Sequence, residues 1–406
     1  MLGKWRVKMK EFIKHEGLSV KNDYHTEFFF SLLRVGLWEN CCLPATPAGS
    51  HIPVDEVDWE CVLKLAKQQS VEGLVAAGIE ICRANVPQFP ISRFCTMKFI
   101  KQVIQLEKRN VAMNQFIGLM TKKMHNAGIE TVLVKGQGVA QCYERPLWRT
   151  CGDVDFFLDK DNYERAKEFL MPYASVVENE YVREKHLGMG FSKWVVELHG
   201  TLHGGLSLRI NRVLDEIQRE TFRDGQVRFW DNNGVTVKML SVENDIVFVF
   251  AHFINHFFKE GLGLRQICDW CRLLWVHQDR MDMALIEKRI RQMGLVTEWN
   301  AFVTYALLYL GLPLTTNGLL LGCCGNHKCL KRKAERINNY ILKVGNMGNN
   351  RDKSHFSKYP YLVRKYFSMK RRLGDLLTHV CIFPLDALKF LPIIMYYGVR
   401  STMRGE

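Results

Sequence analysis

Two aspartates separated by one valine stand at the start of an apolar run, in the segment RTCGDVDFFLDK at residues 149–160. Side chains two residues apart on a β-strand share a face, so Asp153 and Asp155 would lie side by side while Val154 and Phe156 pack on the other face. Such carboxylates repel unless a cation lies between them, and Mg²⁺ commonly binds one or two carboxylates together with substrate phosphates. The pattern predicts a Mg²⁺ site, with Mn²⁺ as the alternative ion. The simpler interpretation is the polar face of a half-exposed strand.

A third acid could complete this site from a later strand. In the segment WVVELHG, Glu197 and His199 are two residues apart and would share one strand face. If that strand pairs with the one carrying the two aspartates, Glu197 becomes a third carboxylate, either as ligand of a second ion or as general base. A histidine in such a position more often packs or donates hydrogen bonds, so His199 is a secondary candidate.

Candidate phosphate contacts precede the aspartates. The segment VLVKGQGVAQCYERPLWR has the pattern of a strand that turns at Lys135 and opens a helix. Backbone N–H groups at the turn, with Gly136 and Gly138, could hold phosphate, and Lys135 would add positive charge. Arg149 could bind a triphosphate through two parallel hydrogen bonds. The simpler interpretations are a glycine turn with a surface lysine and a surface ion pair.

The periodicity of the apolar residues predicts an α+β chain that places these motifs on strands and turns. Four regions are expected from the sequence. They are a helical region over 1–110, an α/β core over 111–240, a helical domain over 241–325, and a basic C-terminal tail with helical segments over 326–406. Part of that tail, residues 326–358, is polar and is predicted to be a mobile loop.

Within the core, five short segments have strand periodicity. They are ETVLVKG, DVDFFLD, SVVENEYVR, FSKWVVELHG and GVTVKML, the last predicted as an edge strand. A loop containing His186 and Gly188 is expected between the third and fourth of these segments. Helices are predicted at QGVAQCYER and KDNYERAKEFLM, and Asp159 or Asp161 is expected to cap the second.

Positive charge is concentrated near the C-terminus. The chain has a formal net charge of +14, and residues 326–406 hold 17 Lys and Arg against 5 Asp and Glu. This predicts an anionic partner such as nucleic acid, a nucleotide or an anionic membrane surface, although a solvated basic face has the same composition. With 13 cysteines, no secretory signal and no long apolar run, we expect a cytoplasmic protein with peripheral membrane contact as a further option.

These residues together resemble the nucleotidyltransferase superfamily that includes DNA polymerase β. More closely, the segment from Leu133 to Leu170 and the strand that follows are similar to a bacterial group described as uncharacterised nucleotidyltransferases. That group shows a Lys-Gly turn, an arginine shortly before Asp-x-Asp, and an acid-Leu-His strand. The superfamily usually has Gly-Gly or Gly-Ser in the first motif, whereas this chain has Lys-Gly-Gln, so Lys135 or Gly138 would replace the missing serine contact.

The resemblance covers roughly residues 25–310 and implies a polymerase-β-like core flanked by helical regions. It implies metal-dependent transfer of an NMP group from an NTP, with ATP the first candidate, to a hydroxyl acceptor with release of pyrophosphate. Asp153 and Asp155 would hold the metal on the nucleotide. The acceptor could be a sugar phosphate, another small molecule, a protein or an RNA. The alternative is a non-catalytic nucleotide- or nucleic-acid-binding protein on the same fold.

A separate candidate site lies in the segment HFINH. His252 and His256 are one helical turn apart, and with Asp269 they could form the transition-metal site of a hydrolase, which is the third functional hypothesis. We favour a structural cluster instead, in which a histidine and Arg265 pair with Asp269 and hold two helices together. The resemblance extends over this segment.

Overall fold

A computed structural model of the chain describes residues 24–39, 57–86, 89, 91–314, 318–322, 327–348, 350 and 360–403. These residues form one mixed sheet of seven strands with helices around it. The predicted α+β fold class is confirmed. No helix in this part of the chain is long and apolar enough to cross a membrane.

The sheet has its motif-bearing strands near the centre. In chain order the strands are β1 (Val132–Val134), β2 (Asp153–Phe157), β3 (Val176–Val177), β4 (His186–Phe191), β5 (Trp194–His199), β6 (Val227–Asn232) and β7 (Val235–Leu240). Their order across the sheet is β3-β4-β5-β2-β1-β7-β6. Strand β2 runs parallel to β5 and antiparallel to β1, β1 runs parallel to β7, and the other neighbours are antiparallel.

The helices precede, interrupt and follow the sheet. Before it are α1 (Tyr24–Leu37), α2 (Trp59–Gln68), α3 (Glu72–Asn85) and α4 (Arg93–Asn126); between its strands are α5 (Gly136–Ala140), α6 (Lys160–Leu170) and α7 (Leu208–Phe222). After it come α8 (Val242–Lys259), α9 (Leu264–Val276), α10 (Met283–Met293), α11 (Val296–Tyr305), α12 (His327–Val344), α13 (Tyr361–Ile382) and α14 (Pro384–Met403). Helix α6 begins as predicted, because the Asp159 carboxylate accepts a hydrogen bond from the backbone N–H of Asn162.

The alternation along β2 explains how the acids come to lie on an otherwise buried strand. Val154 and Phe156 are almost fully buried in a hydrophobic cluster that also contains Tyr163 of α6. Burying a side chain such as Phe156 contributes about 1.5–3 kcal/mol. The two aspartates therefore project from the opposite face, as the period of two predicts.

Two predictions about the core strands are wrong. His186 and Gly188 lie in strand β4 rather than in a loop, and the segment GVTVKML forms β7, which lies between β1 and β6 rather than at the edge. Strand β4 forms because Leu187, Met189 and Phe191 alternate and are buried on one face. The edge strand on the β7 side is β6, which was not predicted from the sequence.

The predicted mobile loop over 326–358 is also wrong for most of its length. Residues His327–Val344 form α12, whose buried side chains recur every three or four residues: Leu330, Ala334, Ile337, Ile341 and Val344. This spacing is that of one helix face, and most of the Lys and Arg residues between them occupy the other face. Residues 351–359 lie outside the described part of the chain. The division of the chain into four regions stays a prediction.

Candidate active site

The parallel pairing of β2 with β5 brings the predicted acids together. Asp155 is the register partner of Glu197, and Asp153 lies two residues earlier on the same face. Neighbouring strands are about 4.8 Å apart. The strand pairing on which a third carboxylate depended is therefore present, and it follows from the burial of the apolar residues on both strands.

Lys135 lies directly over these acids. Lys135 and Gly136 both have positive φ, 57° and 44°, so the chain turns sharply at the end of β1. The Lys135 Nζ atom is 2.7 Å from Asp155 Oδ1, and only 15% of the lysine side chain is exposed. Burial opposes its charge, but the negative charges of Asp155, Glu197 and Asp153 prevail and raise the pKa of Lys135. The residue is thus a buried counter-ion rather than a surface lysine.

One lysine does not balance three acids. The pKa of Asp153 is raised, first by the negative charge of Asp155 and then by burial, while Lys135 acts in the opposite direction. This is the response of a carboxylate that lies beside another carboxylate with too little positive charge nearby. An additional cation would therefore stabilise the ionised carboxylates on this strand face.

Two histidines extend the acidic group. The Nε2 atom of His199 is 2.8 Å from Asp155 Oδ1 and 3.5 Å from Glu197 Oε2, and His186 Nε2 is 3.2 Å from Glu197 Oε2. Burial opposes the charged form of His199, yet its hydrogen bonds to Asp155 and Glu197 raise the pKa of His199. Burial also opposes the charged form of Glu197, yet the hydrogen bonds from His186 and His199 hold the pKa of Glu197 well below its usual range. We call Lys135, Asp153, Asp155, His186, Glu197 and His199 the strand wall.

The strand wall forms one side of a cleft with a volume of about 600 Å³. Further lining residues come from α8, α9 and α13, and we call them the helix wall: His252, Asn255, His256, Lys259, Arg265, Asp269 and Arg372. Lys259, Arg265 and Arg372 give the helix wall an excess of positive charge, which Asp269 and the adjoining cleft residue Glu260 offset in part, whereas the carboxylates of the strand wall give it an excess of negative charge. A cation bound to one wall and an anion bound to the other would therefore lie in the same cleft.

Arg149 lines this cleft, but the two guanidinium nitrogens that could bind a phosphate in parallel already have a partner. Its Nε and Nη2 atoms are 2.9 and 2.6 Å from the two carboxylate oxygens of Asp269, which also accepts a hydrogen bond of 2.8 Å from the Tyr143 hydroxyl. The pair is buried, and the charge of Asp269 raises the pKa of Arg149 although burial opposes it. Only Nη1 has no hydrogen-bond partner among the described residues. A bidentate grip on phosphate would require the Asp269 pair to open.

The two glycines of the predicted phosphate turn differ in their surroundings. Gly136 lines the cleft, whereas Gly138 does not. A Cβ atom at Gly138 would lie 3.0 Å from the Met239 sulfur, so that glycine allows close packing against β7. Helix α5, which begins at the turn, has only 5 residues. The structure thus brings Lys135 and Gly136, but not Gly138, to the acids.

The second predicted site does not assemble as a metal site. His252 and His256 meet through their Nε2 atoms at 3.0 Å, but Asp269 is bound by Arg149 and Tyr143. Arg265 donates to the carbonyl oxygen of Thr150 instead, so the predicted pairing of Arg265 or a histidine with Asp269 is wrong. Burial, with the charge of Lys135, lowers the pKa of His252 well below its usual value.

His186 is the strand-wall residue that was not predicted from the sequence as a functional candidate. In the described part of the chain, one group of three potential metal ligands has its ligand atoms within 4.8 Å of one another, and it consists of His186, Glu197 and His199. The alternation of Leu187, Met189 and Phe191 was the signal for a strand that would place His186 beside β5. The glycines between them obscured it, because glycine is depleted in strands.

A comparison with known proteins adds one finding. A family model described as an uncharacterised nucleotidyltransferase matches residues 55–311, which include the whole sheet together with α8 and α9. No curated protein and no solved structure matches the chain. The matched range contains every strand-wall residue and ends before Arg372.

Proposed function

Since the chain belongs to the family of uncharacterised nucleotidyltransferases, we propose that it transfers an NMP group from an NTP to a hydroxyl acceptor and releases pyrophosphate. The observation that carries the proposal is the in-register pairing of β2 with β5. That pairing collects three carboxylates on one wall of a cleft whose other wall is basic. A metal–nucleotide complex needs both kinds of surface.

The donor set of the strand wall suits a divalent ion. Asp153, Asp155 and Glu197 offer the hard oxygen ligands that Mg²⁺ and Mn²⁺ prefer. The like-charge repulsion that raises the pKa of Asp153 would be relieved by such an ion. When bound, the ion would neutralise charge on the reacting phosphates.

Glu197 is better suited to binding cations than to acting as a general base. An efficient base has a pKa close to the working pH, whereas the hydrogen bonds from His186 and His199 hold the pKa of Glu197 far below it. Glu197 therefore stays ionised and accepts positive charge, and we assign it a ligand role. Of the two roles that the sequence left open, this is the one that the geometry supports.

Lys135 would have two partners in succession. Without substrate its ammonium group binds Asp155, and its position at the turn next to Gly136 lets it reach a phosphate when an external cation takes over that carboxylate. In the same cleft, Arg265 and the unpartnered Nη1 of Arg149 offer further positive charge. In this arrangement the chain's own residues bind and orient the triphosphate.

The test is Mg²⁺-dependent NTP binding, measured by calorimetry for ATP and the other NTPs, followed by pyrophosphate release in the presence of acceptor mixtures. We expect binding that requires the ion, and turnover that falls by about 10²- to 10³-fold in Asp153→Asn and Glu197→Gln. Asp161→Asn, an exposed acid in the first turn of α6, is the matched control and should keep full activity. Failure of the wild type to bind any NTP in Mg²⁺ or Mn²⁺ would contradict the proposal.

A non-catalytic nucleotide-binding protein is the second candidate, and one contact favours it. Lys135 and His199 both bind Asp155, so any metal ion competes with two internal partners for this carboxylate. Saturable NTP binding without pyrophosphate release, for every acceptor class tried, would select this function. The acceptor, the partner of the basic C-terminal residues and a cytoplasmic localisation stay predictions.

A further inference from the structure

The histidines of the strand wall have a geometry that the paired aspartates do not explain. His186 on β4 is the register partner of His199 on β5, and Glu197 lies two residues before His199 on the same face. The two imidazole rings are nearly parallel, with centroids 4.6 Å apart. The carboxylate of Glu197 therefore lies within reach of two Nε2 atoms from neighbouring strands.

The separations of these ligand atoms match a coordination shell. Ligands bound at 2.0–2.1 Å around a tetrahedral Zn²⁺ lie ~3.3 Å from one another. Glu197 Oε2 is 3.2 Å from His186 Nε2 and 3.5 Å from His199 Nε2, and all three atoms lie within 4.8 Å of one another. Two edges of the ligand triangle thus have the required length, and one imidazole must turn out of the stack, because a bound ion lies in the plane of each ring.

One close approach in this cluster, between His199 and Glu197, is not a full hydrogen bond. The Nε2 atom of His199 faces both Asp155 Oδ1 and Glu197 Oε2, at 2.8 and 3.5 Å. A ring nitrogen carries at most one proton, so it donates a well-aligned hydrogen bond to only one of the two carboxylates. A metal ion would contact His199 and Glu197 together.

We propose that His186, Glu197 and His199 form a three-ligand site for a transition-metal ion of the Zn²⁺ class, adjoining the Mg²⁺ position at Asp153 and Asp155. Two imidazoles with one carboxylate favour Zn²⁺, Co²⁺, Ni²⁺ or Fe²⁺ over Mg²⁺, which prefers oxygen ligands. Three protein ligands leave a fourth position for water or substrate. Any catalytic use of this ion rests on the proposed function, whereas binding of the metal alone does not.

Co²⁺ is the probe, added without nucleotide to protein that carries no histidine tag. We expect one Co²⁺ per chain, with the visible absorption of a four-coordinate nitrogen–oxygen site, displaced by equimolar Zn²⁺ but not by the same concentration of Mg²⁺. Cys329 and Cys381 are exposed, and thiolate binding would be recognised by its near-ultraviolet charge-transfer band. A spectrum dominated by that band, or no spectrum at all, would overturn the proposal.

His186→Gln should weaken Co²⁺ binding by at least about 10- to 100-fold, the range for loss of even an outer partner. His203→Gln is the matched control, because His203 lines the same cleft but is paired with Asp215. Circular dichroism establishes that both variants fold. Unchanged Co²⁺ affinity in folded His186→Gln would rule the site out.

Mg²⁺-dependent NTP binding is measured on the same samples, so the two proposals fail separately. If NTP binds with Mg²⁺ but Co²⁺ does not bind, the histidine site is wrong and the proposed function stands. If Co²⁺ binds at the histidines but no NTP binds, the histidine site stands and the proposed function is wrong.

Discussion

The strand wall and the helix wall both contain buried charges, but they balance them differently. On the helix wall, Asp269 has one full partner in Arg149 and a further donor in Tyr143. On the strand wall, Asp153, Asp155 and Glu197 share Lys135 and two histidines. Both arrangements consist of buried acidic and basic residues and cannot be told apart from the sequence, but the difference in charge balance indicates different roles. A matched pair holds elements together, whereas we propose that the unbalanced acids lining the cleft bind an external cation.

The largest expected effect comes from breaking the matched pair. Asp269→Asn leaves the Arg149 guanidinium buried without a counter-charge, which should lower the free energy of unfolding by about 3–5 kcal/mol. Asp215→Asn is the control, since its pair with His203 is exposed and should contribute at most about 1 kcal/mol. Urea unfolding measures both. Equal, small losses would show that the Arg149–Asp269 pair is not structural.

A smaller effect, with a distinctive metal dependence, is expected at Lys135. Lys135→Gln removes the internal counter-ion of the strand wall and should destabilise the metal-free protein by about 2–3 kcal/mol, somewhat less than a fully buried pair. Because a divalent ion replaces the missing charge, added Mg²⁺ or Mn²⁺ should restore most of this loss. Thermal unfolding with EDTA and with each ion measures it. A loss that neither ion reduces would mean that the acids do not bind metal.

The helix wall should show a pH effect of about 1.4 kcal/mol per pH unit at most, the value for a single group. Burial, with the charges of Lys135, His256 and His199, lowers the pKa of His252, opposed by Glu197. The unfolded chain therefore binds more protons at His252 below its ordinary pKa. The contribution of His252 to stability is therefore full above about pH 6.5 and falls as the pH drops towards its folded-state pKa.

The variant His252→Gln should flatten this slope, measured by urea unfolding between neutral and mildly acidic pH. His203→Gln again serves as the control from the same cleft and should keep the wild-type slope. If wild type and His252→Gln lose stability in parallel on acidification, His252 is not the titrating group.

The smallest effect is expected at the rim of the helix wall. Arg372 is exposed at the cleft, outside the range matched by the family model. If it attracts an anionic substrate, Arg372→Gln should raise KM about 3- to 5-fold with kcat unchanged, which corresponds to at most about 1 kcal/mol. Lys370→Gln, exposed on the same helix but not lining the cleft, is the control. A fall in kcat instead would indicate a role beyond binding.

Local patterns predicted correctly which strand faces carry the central candidate residues. The alternation around Asp153 and Asp155 placed them on the outer face of β2, and WVVELHG gave β5 with Glu197 and His199 on one face. Both follow from a period of two, which needs no information about distant residues. The sequence did not indicate that the Nε and Nη2 atoms of Arg149 already have a partner, because that partner, Asp269, is 120 residues away in sequence.

Errors arose where glycine or polar residues hid a regular pattern. The glycines of β4 led to the prediction of a loop where the strand that carries His186 lies. The many charged residues of α12 led to the prediction of a loop where an amphipathic helix lies. In both elements the buried residues have the correct spacing. Tertiary burial of those residues stabilises the element even where local propensity is weak.

The sequence by itself determined which residues share a strand face, because side-chain direction on a strand depends only on parity. It also determined family membership, because the motif spacing along the chain is local information. Only the tertiary structure decided which charges neutralise each other. Lys135 came to lie on Asp155, Arg149 on Asp269, and His186 beside Glu197, because strand pairing and helix packing join residues that are 11 to 120 positions apart in the chain. The electrostatic energy of a charge depends on these neighbours and on burial, and neither is a property of the local sequence.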